Sequence, residues 1–455
     1  EAPAPDPALY ESGIPILGIC YGFHHITHYW KGDVFAGPRK EFGRASVSVH
    51  KHNLLFNNVP GTFAAWMSHG DSVVELGEQF ELLAQSEHHI AAAYHPEKHL
   101  FGIQFHPEVT HCEYGDQILA NFAIEICGAS CQWDMNTYMK TVVADITAQV
   151  GSRNVLLLIS GGVDSTVVAA ILLNALPPAQ VHLLHIDTGL MRKQETEEVM
   201  KDLRKLGASN LYTIDASSTF LDALENVTDP EEKRRIIGDL FISVQEDELR
   251  KHGIEDALLA QGTLYTDLIE SGKGVGQKAA VIKTHHNVRA PLIAKKREKG
   301  ELIEPLDRLY KDEVRSLGLN LGITRSVVMR HPFPGPGLAV RILGEVTREK
   351  CDLLREADHI FIQELKKRGL YEQIWQAFCV LLPVRTVGVA GDVRKYGWVI
   401  SLRAVNSRDG MTADVFPFPQ DQLVEISSLI TNSLDEVGRV VYDVSSKPPS
   451  TIEWE

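Results

Sequence analysis

Val155-Leu-Leu-Leu-Ile-Ser160-Gly-Gly-Val-Asp-Ser-Thr166 is the stretch on which the reading of this chain turns. A short apolar run ends in a polar turn bearing two glycines, and Val167 to Leu176 then continues apolar apart from Asn174. That order predicts a buried parallel strand, a tight loop and a helix N-terminus in succession. Consecutive glycines let backbone N–H groups approach an anion with no Cβ in the way. Ser160, Ser165 and Thr166 add hydroxyl donors, and the helix dipole favours negative charge at this end. The guest that fits is a phosphate or pyrophosphate. The plainer alternative is a glycine turn with a helix-capping serine.

No lysine lies within the loop, so it is not a Walker P-loop, and the G-x-G-x-x-G spacing of a dinucleotide fold is missing. Ser160-Gly161-Gly162-Val163-Asp164-Ser165-Thr166 instead resembles the pyrophosphate loop of the ATP pyrophosphatases, which split ATP between its α and β phosphates. The resemblance implies ATP bound along these seven residues, with Asp164 as a carboxylate for Mg²⁺ beside the phosphates.

The 455 residues are 44% hydrophobic and 23% charged, the balance of an ordinary soluble protein. At roughly 100–200 residues per domain, two to four domains are expected. A net charge of −15 argues against a generic nucleic-acid surface. Six scattered cysteines make no disulfide framework, and Cys127 and Cys131 have no second pair to complete a zinc site. A reducing, cytoplasmic setting follows. No apolar run reaches membrane-spanning length and no signal peptide is visible.

Upstream, Ile14-Pro-Ile-Leu-Gly18-Ile-Cys20-Tyr21-Gly22 reads as a buried strand entering a Gly-x-Cys-x-Gly elbow. Small residues there flank a side chain held on a sharp strand-to-helix turn. A thiol at a helix N-terminus favours the reactive thiolate. Gly102-Ile-Gln-Phe-His106-Pro-Glu108 lies far downstream, and residues i and i+2 of an extended segment share a face. His106 is thus a candidate general base for Cys20, with Glu108 orienting its ring. Singly, a buried cysteine or a strand-end His-Pro-Glu says little. In this order, with Ser68-His-Gly-Asp71, they resemble the class I glutamine amidotransferases. Glutamine hydrolysis through a thioester is implied, with N–H groups near Tyr21 and Gly22 for the oxyanion. His24 stands where that family carries glutamine, and the family's opening strand and glycine-rich oxyanion loop lie ahead of residue 1, so the domain reads as N-terminally trimmed. His24, His25 and His28 have no carboxylate or cysteine placed to complete a metal site.

Beyond a helical connector, strand and helix alternate through Val181–Asp187, Glu195–Leu206 and Leu211–Asp215. Repeated β-α-β units imply a parallel sheet with its ligand site at the strands' carboxyl ends, where Asp187 would lie beside an adenosine. Asp229 to Gly238, Gln261 to Asp267, Ile282 to Val288, Glu304-Pro-Leu306 with Lys311 to Arg315, and Arg330 to Gly337 all resemble the glutamine-hydrolysing GMP synthetase family. Lys233, Arg234 and Arg235 form a cation cluster suited to a nucleotide phosphate, or else a solvated helix start. Lys283, His285 and His286 follow a glycine-bearing stretch that suggests a lid over the phosphates.

The remaining chain alternates apolar strands with two helices, around Arg348–Lys367 and Gln420–Leu434. By resemblance it is a dimerisation domain that also holds xanthosine monophosphate (XMP). Lys447 would meet its phosphate, Gln376 its base or phosphate, Ile452 and Glu453 its purine and ribose, and Arg234 a phosphate. Ending on Trp454-Glu455 with no polar tail, the terminus reads as docked.

The expected architecture is α/β. Residues 1–128 form the trimmed amidotransferase domain, 129–335 a parallel-sheet ATP pyrophosphatase domain, and 336–455 a small α+β domain. The expected substrates are glutamine, ATP with Mg²⁺, and XMP, in a homodimer that binds neither nucleic acid nor membrane. An NAD- or asparagine-making relative would share the loop but not the Lys447-to-Glu453 tail. A stand-alone nucleotide-binding regulator would need no Cys20 triad, and a tRNA-modifying pyrophosphatase would need a basic RNA surface.

Overall fold

The computed structural model describes residues 4–109, 111–254, 256–270, 296–390, 392–407, 410 and 412–455. Lys283, His285 and His286 of the expected lid lie outside the described residues. The chain divides into two compact units, Glu1–Gln132 and Trp133–Glu455.

In the first unit β1 (Ile16–Ile19) runs straight into helix α1 (Tyr21–Tyr29). There follow β2 (Asp33–Val49), β3 (Thr62–Glu75), β4 (Glu81–Gln85), β5 (Ile90–His95) and β6 (Leu100–Ile103). The sheet order is β1-β6-β5-β4-β2-β3; only the β1–β6 pairing is parallel. Gly18 of β1 lies opposite Gly102 of β6, and both lie beneath α1. A Cβ on Gly18 would stand 2.7 Å from the carbonyl carbon of Gly22, and one on Gly102 would stand 1.9 Å from the Phe23 ring. Two bare backbones therefore let the helix sink onto the sheet and bury Phe23 and Ile26. Each such burial contributes about 1.5–3 kcal/mol. The first glycine of the Gly-x-Cys-x-Gly elbow is thus a steric requirement of the fold. At Gly22 an added Cβ meets no protein atom within 4 Å.

The second unit opens with α2 (Met135–Val150), whose cap Asp134 accepts from the N–H groups of Asn136 and Thr137. Then come β7 (Val155–Leu158), α3 (Val163–Ala175), β8 (Val181–Asp187), α4 (Glu195–Lys205), β9 (Asn210–Asp215), α5 (Pro230–His252), β10 (Leu258–Ala260), β11 (Leu302–Ile303) and α6 (Lys311–Asn320). The strands form a fully parallel sheet in the order β11-β10-β7-β8-β9. The chain works outward one way from β7, then returns to its other side, so β7 and β10 bound a topological switch point. Crevices at such points, outside the strands' carboxyl ends, are where open α/β sheets bind ligands. Helix α3 begins at Val163, so its polar first turn belongs to the helix and not to the loop.

Helix α7 (Arg348–Lys367), the long hairpin of β12 (Gln376–Ala390) and β13 (Val393–Asn406), β14 (Asp414–Val415), α8 (Gln420–Ser433) and β15 (Val437–Tyr442) complete the chain. β12, β14 and β15 all pair with β13, and of these only β15 runs parallel to it. A single apolar cluster extends from Leu156, Leu184 and Ile186 in the parallel sheet to Leu354, Phe361, Leu402 and Ile430 here. The boundary expected at 335/336 therefore falls inside one compact unit, because both sides share a core. Among the described residues no helix is long and apolar enough to cross a membrane.

Candidate functional site

Cys20 caps α1 with φ 51°, a left-handed conformation that a non-glycine residue adopts at a cost of roughly 1–3 kcal/mol. It is held there by its N–H donating to the Ile103 carbonyl at 2.7 Å and by its own carbonyl accepting from Phe23 N–H at 3.0 Å. His106 and Glu108 do not lie on an extended strand as the spacing suggested. They sit in the turn after β6, where Nδ1 of His106 still meets Oε1 of Glu108 at 2.6 Å. Burial alone would make the His106 imidazole harder to protonate. Hydrogen bonds to Cys20 and Glu108, with their charges, outweigh it and raise the pKa to about 9. The partners of His106 therefore favour the cationic imidazole. Tyr21 and Gly22 open α1, where first-turn N–H groups have no intrahelical acceptor. His24 is turned inward, with Nε2 at 2.8 Å from Oε1 of Gln104, and His25 meets the Tyr21 hydroxyl at 3.1 Å.

The Ser160–Gly162 turn follows β7 at the switch point. Gly161 has φ +83°, and a Cβ there would lie 2.8 Å from Val199. Of the three hydroxyls expected to face the ligand, two are engaged within the helix. Ser165 and Thr166 are buried and donate to the Gly162 carbonyl at 3.1 and 2.9 Å, which leaves Ser160 as the exposed one. The loop after β10 closes the other wall: a Cβ on Gly262 would be 3.2 Å from that of Asp164. Both carboxylate oxygens of Asp164 accept from Nζ of Lys311, at 2.7 and 2.6 Å. Arg330 donates to the Gly161 carbonyl at 2.9 Å. Asp187 ends β8 and accepts from Gly189 N–H and the Thr196 hydroxyl at 2.9 and 3.0 Å.

The C-terminal tail is docked. Buried Arg403 donates to the carbonyls of Ser445, Thr451 and Ile452, and Lys447 donates to the Gly410 carbonyl at 2.7 Å. Glu453 is gripped by Nε and Nη2 of fully buried Arg341 at 3.1 and 2.9 Å, and by Gln376 at 2.7 Å. The side chain of Ile452 packs in a core cluster with Phe378, Val405 and Ala413 and is 8% exposed. The Lys233–Arg235 cluster does not converge on one anion. Lys233 is fully buried and bonds the carbonyls of Ala339 and Ile342 and the Glu455 carboxylate. Arg234 donates to the main-chain oxygen of Glu455, whereas Arg235 turns outward to Glu232 and Asp239. Three successive helical positions are about 100° apart, so they cannot all face one way.

Four residues enter these sites without having been singled out: Gln104, Lys311, Arg330 and Arg341. The first three lie inside motifs quoted for their resemblance, and the close spacing within each motif was the available signal. Arg341 had none.

A strand-to-helix thiol elbow in one unit and a pyrophosphate-type loop at a parallel-sheet switch point in the other define an amidotransferase coupled to an ATP pyrophosphatase fold. Comparison with known proteins agrees. Residues 1–126 match the class-I glutamine amidotransferase family, 135–236 the NAD synthase family and 363–454 the GMP synthase C-terminal domain. Over 456 residues the chain is 51% identical to the glutamine-hydrolyzing GMP synthase of Aquifex aeolicus, spanning 100% of this chain and 88% of that protein. The Campylobacter jejuni and Carboxydothermus hydrogenoformans proteins of the same name are each 48% identical, over 99% and 100% of this chain and 87% and 88% of their own lengths. The chain belongs to the glutamine-hydrolysing GMP synthase family.

Proposed function

We propose that this chain makes GMP from XMP in two half-reactions. In the first, the Cys20 thiolate attacks the side-chain amide carbon of glutamine, and N–H groups at Tyr21 and Gly22 receive the developing oxyanion. His106, held by Glu108, gives its proton to the departing ammonia, and water then releases glutamate from the thioester. In the second, Ser160 to Thr166 seat the phosphates of ATP and Asp187 borders the adenosine. The C2 oxygen of XMP attacks the α phosphorus, pyrophosphate leaves, and ammonia displaces AMP from C2 to give GMP. Activation is needed because a purine carbonyl oxygen is otherwise a poor leaving group.

Asp164 suits Mg²⁺: its carboxylate borders the loop, is part-exposed and already faces a cation, Lys311. Bound there, the ion would neutralise phosphate charge. Lys447, Gln376, Glu453 and Arg234 are assigned to XMP, with Ile452 shaping that wall from the core. The carrying observation is the Ser-Gly-Gly turn at the β7/β10 switch point, on a chain that also bears the thiol elbow. With ammonia and ATP, AMP and pyrophosphate should form when XMP is added, and not with deamido-NAD or aspartate. Turnover with deamido-NAD but none with XMP overturns the assignment.

The same reading pairs two copies through the β12–β13 hairpin. Val387, Val389 and Tyr396, which share one face of it, are 50%, 79% and 62% exposed, an apolar patch of the kind that a partner covers. A molar mass of one chain at micromolar concentration in solution would refute the pairing. The cysteines, all unpaired, fit a reducing compartment such as the cytoplasm; a location outside the cytosol on cell fractionation would count against that placement.

A further inference from the structure

Gln104 belongs to the stretch that carries His106, yet the mechanism above gives it no task. It is fully buried, and a buried primary amide needs partners for its two donors and its acceptor. Two of those partners are chemically telling. Oε1 lies 2.8 Å from Nε2 of His24, and Nε2 lies 3.7 Å from the sulfur of Cys20. Burial disfavours the charged imidazole of His24, so the ring is held neutral. A neutral ring that carries its proton on Nε2 donates to Oε1, and the amide can then only turn its N–H toward the sulfur. His106 is the other side chain that hydrogen-bonds the sulfur. From β3 the Ser68 carbonyl, 4.0 Å from the sulfur, is an acceptor and suits the protonated thiol only. The titratable groups here include His106 with Glu108 from the turn after β6, Tyr21, His24 and His28 on α1, and His69 and Asp71 on β3, with Glu41 and His89 facing His69.

We infer that Gln104 is a positioning residue for the Cys20 thiolate, its side-chain N–H donated to the sulfur and its orientation set by His24. The inference rests on Cys20 being the glutaminase nucleophile. His24 sits where related amidotransferases carry glutamine, and in this chain its ring points at Gln104, on the inner side of α1. Its task is to aim a donor. A thiolate fixed by one N–H and by the His106 cation has its remaining lone pair directed at an incoming amide carbon, with no bond made or broken by Gln104 itself.

The test compares Gln104→Met, which keeps the shape and removes the donor, with His24→Leu, which frees the amide to turn. Alkylation of Cys20 by iodoacetamide is followed by mass spectrometry of its own peptide, because Cys127 and Cys131 are exposed and react as well. For Gln104→Met the rate at pH 7, relative to the plateau at high pH, should fall roughly tenfold, and glutamine kcat/KM should fall with it. His24→Leu should show the same two changes at smaller size. Ammonia-dependent GMP formation by the same samples should stay within about twofold, as a check that the chain is folded.

Unchanged alkylation in both variants overturns the inference. A rise in the pH 7 rate for Gln104→Met does so too, since the amide oxygen would then be the atom facing the sulfur. If His24→Leu raises the KM for glutamine and leaves alkylation untouched, His24 contacts substrate directly and the relay is wrong. Failure of the glutaminase reading itself would show differently, as glutamine use surviving in Cys20→Ala.

Discussion

Cys20→Ala should lose glutamine-dependent GMP formation by about 10⁴-fold or more, while GMP formation from added ammonia stays within about twofold. The size of the first effect follows from the chemistry. With no sulfur at the elbow there is no thioester, and N–H groups at the helix start cannot hydrolyse an amide without a nucleophile. The selectivity follows from the division of the chain: Cys20 lies in the unit Glu1–Gln132, and the phosphate loop is built entirely within Trp133–Glu455. Alanine also relaxes the strained φ of 51° little, since it too has a Cβ, so the substitution tests chemistry and not folding. Steady-state GMP formation with each nitrogen donor in parallel decides it. Equal loss with both donors would mean that Cys20 is not confined to glutamine use.

Asp164→Asn should lower kcat by about 10²–10³ with either nitrogen donor, and should change the KM for ATP far less. The substitution keeps the shape and removes one negative charge from the first turn of α3. Two consequences oppose each other in the ground state. On the proposed reading a carboxylate for Mg²⁺ is lost, which would weaken the grip on the ion. Lys311, now without the carboxylate that holds its Nζ at 2.7 and 2.6 Å, presents a free cation to the phosphates and offsets the loss in binding. Charge that builds on the departing pyrophosphate has no such replacement, so the deficit appears in kcat. Raising Mg²⁺ should recover part of the rate. A full rate at limiting Mg²⁺ would remove Asp164 from the metal's coordination.

The contrast between these two variants also shows how the chain's features differ in legibility. The elbow and the phosphate loop are local objects: their geometry depends on which residues adjoin a glycine at the end of an apolar strand. Even there several side chains already have a partner within the protein. Ser165 and Thr166 bond back to Gly162, and Lys233 is buried against the Glu455 carboxylate. The two hydroxyls lie one helical turn from the carbonyl that satisfies them, whereas Lys233 meets Glu455 across 222 positions. Spacing also placed His106 and Glu108 on a strand, where the fold has a turn, although the pair still meets.

From the residues alone came the parallel βαβ order, the thiol elbow and the Ser-Gly-Gly-Val-Asp turn, all set by periodicity, glycine placement and residue neighbours within about one element. Tertiary structure alone decided which groups finish those sites. Lys311 reaches Asp164 across 147 positions, Arg341 reaches Glu453 across 112, and Gln104 reaches Cys20 across 84. Such pairings are set by how strands order in a sheet and how deep a helix sinks onto it, here through Gly18 and Gly102. Contacts between segments so far apart depend on the packing of the whole unit, and no local pattern of residue types encodes them.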